Sequence, residues 1–132
     1  MRHLASVLGL SVVLTAGAVP AVAAEDRSYV ALGVGNNSCA TWTQNRRVAD
    51  QATPGSTDYR LSLTEQAWVS GFLSAANHYT FVAGSSDGDL TIGQDLIDLM
   101  GRVDIYCAAA PLDTIADAAK NFAEGLRQHK RN

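Results

Sequence analysis

From Leu4 to Val19 the chain is apolar, with Ser6, Ser11, Thr15 and small residues the only interruptions. Beyond residue 25 the apolar positions fall into short periodic runs. The first, Tyr29-Val30-Ala31-Leu32-Gly33-Val34-Gly35, is β-branched and aromatic. It predicts an extended segment with Val30, Leu32 and Val34 on one face. Gly33, Gly35, Asn36 and Asn37 then predict a turn. Ser38 is a good N-cap, and a helix is expected from Cys39 to about Asp50, with Cys39, Trp42 and Arg46 at helical spacing. Residues 51–58 contain Pro54-Gly55 and small polar side chains, which predict a loop. Ser62-Leu63-Thr64-Glu65 has the form of a capping box and is expected to open a second helix. Trp68, Phe72, Ala75, Ala76 and Tyr79 form its apolar stripe, widened by Val69 and Leu73. Gly71, Ala75 and Ala76 would let another helix approach, and Gly84 suits the C-terminal end.

After a loop over residues 85–93, a third helix is expected over 94–107. Leu96, Leu99, Met100, Val103 and Cys107 face inward, and Asp98 pairs with Arg102 outside. Pro111 is expected to start a fourth helix, with Asp113 in its first turn. Its inward face carries Ile115, Ala119, Phe122, Ala123 and Leu126. The basic tail Arg127-Gln128-His129-Lys130-Arg131 suits a helix C-terminus. The expected fold is all-α: a small four-helix domain with a short extended N-terminal segment.

The apolar start changes the picture of the whole chain. Met1-Arg2-His3, the run that follows, and Ala21-Val22-Ala23-Ala24 after Pro20 have the layout of a secretory signal peptide. Cleavage after Ala24 is preferred to cleavage after Ala23. The run is too short for a membrane anchor, which needs about 20 apolar residues. The expected organisation is a signal peptide over 1–24 and one domain over 25–132, periplasmic or secreted. Two cysteines, Cys39 and Cys107, lie in that domain. An even count in an exported chain predicts a disulfide. Closing a loop of this length stabilises by about 4 kcal/mol. Free or metal-binding thiols are the alternative, but Cys-x-x-Cys and nearby His ligands are missing.

Composition and chemistry narrow the function classes. Nine Lys/Arg against thirteen Asp/Glu after residue 24 argue against a nucleic-acid partner. No second long apolar segment follows, so no stable membrane insertion of the exported part is expected. Only His78 and His129 could serve as imidazole bases there, and Ser70 lacks the Gly-x-Ser-x-Gly elbow. Gly33-x-Gly35 lacks the rest of a phosphate loop. Asp87, Asp89, Thr91, Asp95 and Asp98 match positions one, three, five, nine and twelve of a calcium loop. Gly93 falls at seven rather than six, Gln94 occupies the apolar position eight, and Asp98 replaces the usual Glu. A polar loop ending in helix-capping acids is therefore preferred, with no metal and no cofactor. Trp42, Trp68, Phe72, Tyr79, Tyr106 and Phe122 are read as core, an aromatic ligand pocket being the alternative.

The stretches Ala67-Trp68-Val69-Ser70-Gly71-Phe72-Leu73-Ser74-Ala75, Val103-Asp104-Ile105-Tyr106-Cys107 and Pro111-Leu112-Asp113 resemble small exported bacterial helical proteins. Over residues 38–128 they are similar to the HdeA acid-stress chaperones and to the Rap/Tai type VI secretion immunity proteins. The resemblance implies a non-enzymatic binding protein of the cell envelope with a protein partner, such as an immunity-like inhibitor. The alternative it implies is an acid-activated chaperone. Below about pH 3 the carboxylates would be neutral, and the remaining positive charges would repel one another.

Overall fold

A computed structural model describes residues 30–84, 91 and 93–130, the last two without their side chains. The signal peptide expected over 1–24, the start of the expected extended segment, Asp87, Asp89 and Arg131 lie outside the described residues. Among those described there are four α-helices and no strand: α1 (Cys39–Ala49), α2 (Thr57–Val82), α3 (Leu96–Ala109) and α4 (Ile115–Lys130). None is long and apolar enough to cross a membrane. The helices surround the core in the order α1, α2, α4, α3.

α1 forms as its sequence predicts. The Ser38 hydroxyl accepts from the Thr41 amide at 3.2 Å. Cys39 and Trp42 are fully buried. Trp42 carries an indole N–H into the core, and that donor needs an acceptor. Asp104 on α3 supplies one at 2.6 Å, and its carboxylate also accepts from Arg46 at 3.1 and 3.3 Å. Cys39 and Cys107 form the expected disulfide, their Cα atoms 4.6 Å apart.

Four expectations change. Before α1, Leu32 is extended and the expected turn is a 3-10 turn over Gly33–Asn36, but Val34 belongs to that turn, and Ala31 and Gly35 are buried while Val30 and Leu32 are exposed. Trp68 packs against it: its indole donates to the Leu32 carbonyl at 2.9 Å. Its ring lies so close to Gly35 that a Cβ there would collide with it.

Second, α2 begins at Thr57, not at Ser62. Ser56 caps it by accepting from the Tyr59 amide at 3.3 Å. Ser62 and Glu65 are buried inside the helix, one turn apart on the inward face. That face continues through Val69, Leu73 and Thr80, so the stripe is rotated from the expected one. Trp68 and Phe72 stack at 5.6 Å at its margin, and Tyr79 is exposed.

Third, α3 is capped by Asp95, which accepts from the Asp98 amide at 2.8 Å. Leu96 precedes the buried face and is exposed. Arg102 lies over the Phe122 ring, 5.5 Å from its centroid, instead of pairing with Asp98.

Fourth, α4 begins at Ile115, because Thr114 and Asp117 form a reciprocal capping box. The Asp117 amide donates to Thr114 Oγ1 at 3.1 Å, and the Thr114 amide donates to Asp117 Oδ2 at 3.0 Å. Pro111-Leu112-Asp113 is left as a turn. Ile115, Ala119, Phe122 and Ala123 are buried as expected, with Leu126 packed at the edge.

Candidate functional site

Two features of the described residues combine space or unmet polarity with defined chemistry. The larger is a groove between α3 and α4. Arg102, Ile105 and Tyr106 project from α3 at i, i+3 and i+4, the spacing that places side chains on one helix face. Ala118, Asn121, Phe122, Gly125 and Leu126 line the α4 side. The groove encloses about 550 Å³. This is within the range of small-molecule and peptide pockets. Its depth comes from Ala118 and Gly125, which put no bulk into it. Arg102 is the one cation of its wall, and its N–H groups have no acceptor among the described residues.

Tyr106 separates this apolar groove from a shallow polar surface of Asp113, Asp117, Lys120, Asn121 and Glu124. Its hydroxyl donates to Asp113 Oδ2 at 2.6 Å. That bond pushes the phenol up to about 12, helped by burial and by the charges of Asp113 and Asp117. Tyr106 is thus a fixed donor, not a base. Asp117 is held below the usual carboxylate range by its side-chain and backbone hydrogen bonds with Thr114.

The second feature is Glu65, whose carboxylate is buried at the meeting of α1, α2 and the 3-10 turn. Oε1 accepts from Asn37 Nδ2 at 3.1 Å and from Asn45 Nδ2 at 3.0 Å. Oε2 is buried with no hydrogen-bond partner among the described residues. Two neutral amides, and no cation among the described residues, hold this group in place. Its signal was present in the sequence: residues 65, 69 and 73 recur every four positions, which puts Glu65 on the stripe of Val69 and Leu73. The same spacing also fits a capping box with Ser62. The groove had no comparable signal, because Arg102 and Phe122 meet only through tertiary packing.

The other candidates are dispersed. His78 is exposed near the end of α2. The Ser70 hydroxyl is engaged with the Gln66 carbonyl of its own helix at 2.9 Å. Of the calcium-loop set, Asp87 and Asp89 lie outside the described residues, and Asp95 is engaged as the cap of α3. Among the described residues no three His, Cys, Asp or Glu side chains come together as a metal site. Trp42 is core, Phe122 is buried and also lines the groove, and Tyr106 lines the groove beside it.

Glu65→Ala should lower the unfolding free energy by about 2–4 kcal/mol, because it strands the two Asn donors. Glu65→Gln keeps the acceptor oxygen and should stay within about 1 kcal/mol of the parent. Urea unfolding of the two variants measures the difference.

No family model matches the chain, and neither the curated proteins nor the solved structures contain a match to it. Nothing in these comparisons links it to the HdeA or Rap/Tai families.

Proposed function

We propose that the chain is a non-enzymatic binding protein of the cell envelope, and that the α3–α4 groove receives a segment of a protein partner. The observation that carries this reading is the groove itself. Ile105, Phe122 and Leu126 give it apolar surface, and Arg102, over the Phe122 ring, offers guanidinium donors in its wall. Such a surface suits a segment with an aliphatic or aromatic side chain next to a carboxylate. An inhibitor that blocks the activity of its partner, in the manner of an immunity protein, fits this geometry. The dispersal of His78, Ser70 and the acids supports a binding role over a catalytic one. A disulfide-closed fold supports work outside the cytoplasm.

A photo-reactive side chain at position 105, introduced in living cells, should give one discrete protein adduct. Arg102→Glu should weaken that contact at least about tenfold, the effect of about 1.4 kcal/mol. Adducts that are diffuse, or that persist in Arg102→Glu, would contradict the reading.

A second reading, an acid-activated chaperone, is favoured by the cap of α4. Asp117 has a lowered folded-state pKa. Its contribution is therefore fully present above the unfolded value of about 4 and is lost as pH falls through the lower folded value. Acid would loosen the start of α4 and expose its apolar face, while the disulfide keeps α1 and α3 joined. Dye binding should then rise below about pH 4. Asp117→Asn should lower stability at pH 7 and flatten the acid response. Absence of dye binding down to about pH 2, where carboxylates are neutral, would remove this reading.

A further inference from the structure

The outward face of α2 is unlike an ordinary solvated helix surface. Between Leu61 and Val82 the only Asp, Glu, Lys or Arg is Glu65, and Glu65 is buried. Some 33 Å of helix therefore faces solvent without a charged side chain, at 1.5 Å per residue. Exposed helix faces of soluble domains are normally charged and polar. Loss of charge together with exposed aromatic side chains marks the centre of a protein interface. Tyr79 is 73% exposed and Phe81 81%. Leu61, Leu63 and Val82 are also exposed on this helix.

The arrangement is close to a palindrome about Gly71. At about 100° per residue, Gly71 lies at the centre of the exposed face, with Thr64 and His78 about 20° and Ala67 and Ala75 about 40° to either side. Leu61 and Tyr79 lie along one margin, and Leu63 and Phe81 along the other. A surface of this kind complements itself. If two copies of α2 pack antiparallel with a two-fold axis at Gly71, Leu61 meets the second copy's Tyr79 and Leu63 meets its Phe81. The small residues sit where the helices cross. Charge agrees with this register. The last turn of α2 carries no basic residue. Arg60 and Val82 lie equally far from Gly71, so Arg60 reaches the C-terminal end of the second helix, where a cation is favourable.

We infer that the outward face of α2 is an isologous interface that joins two copies of this chain. An aromatic side chain buries about 150–250 Å² in full, so Tyr79 and Phe81 alone, on two copies, remove several hundred Å². The leucines, Val82 and the small-residue centre bring the total toward the about 1,200 Å² of a stable interface. The face is separate from the α3–α4 groove, so the dimer stands or falls independently of the proposed function.

The full chain, purified after export, should have about twice the monomer mass by sedimentation at concentrations of about 10–100 μM, where a micromolar complex is populated. Gly71→Arg places two like charges together at the two-fold axis and should weaken association at least about 100-fold. No atom lies within 4 Å of a Cβ built at Gly71, so the monomer accommodates the change. Replacing a helix glycine also favours folding. Both native cysteines are engaged, so Gly71→Cys brings in a single thiol. It should form an intermolecular disulfide in air, because the two positions meet at the axis. A parent chain that stays at monomer mass, or a dimer that survives Gly71→Arg and leaves Gly71→Cys unlinked, would overturn the inference.

Discussion

The first turn of an α-helix has amide donors with no partner in the helix itself, and burying them unmet is costly. The start of α1 is buried at Cys39, and the turn between α3 and α4 meets its donors. The Cys39 amide donates to the Asp113 carbonyl at 2.7 Å and the Ala40 amide to the Pro111 carbonyl at 3.0 Å. Ser38 supplies its hydroxyl to the Thr41 amide and its carbonyl to the Trp42 amide. In return the Ile115 amide donates to the Asn37 carbonyl at 3.0 Å, so the starts of α1 and α4 are fixed to each other. The disulfide closes at the same junction. A bond between residues 68 apart thus reinforces a backbone contact rather than tying two loose surfaces together.

The rest of the fold is arranged around that junction by polar groups placed inside. Trp42 beside the disulfide needs an acceptor for its indole. Asp104 meets it and is itself held by Arg46, which also lies over the Trp42 ring. One turn along α1 from Trp42, Asn45 joins Asn37 in converging on Glu65, and together they fix the rotation of α2. Tyr106 and Asp113 link the body of α3 to the turn that holds α1. These pairs specify one arrangement of four helices around a core in which Trp42, Met100 and Ile115 are fully buried beside the alanines of α4. The outer surfaces are then free to differ: a cation-rimmed groove on α3 and α4, and a charge-free face on α2.

Much of this was legible in the residues, and the exceptions have physical causes. Ser38 caps α1 because the local pattern and the tertiary contacts agree there. The pairing of Cys39 with Cys107 and the inward face of α4 follow from composition and period. Ser62-x-x-Glu65 misled because one turn of spacing describes both a capping box and two inward residues. Only Asn37 and Asn45, which come from other elements, decide between them. Pro111 does not start α4, because the carbonyls of Pro111 and Asp113 are held by the start of α1, and Thr114 and Asp117 cap the helix instead. The groove was not legible, because it depends on how far apart α3 and α4 pack.

The junction of α1 with the α3–α4 turn holds the domain together, and native-state hydrogen exchange of the Cys39, Ala40 and Ile115 amides is the measurement that bears on it. These lie at helix starts, where amides ordinarily exchange through local fraying. They should instead exchange only on global unfolding, within about tenfold of the slowest amides of α3 and α4. Exchange at the rate of frayed helix ends, while the cores of α3 and α4 stay protected, would contradict it.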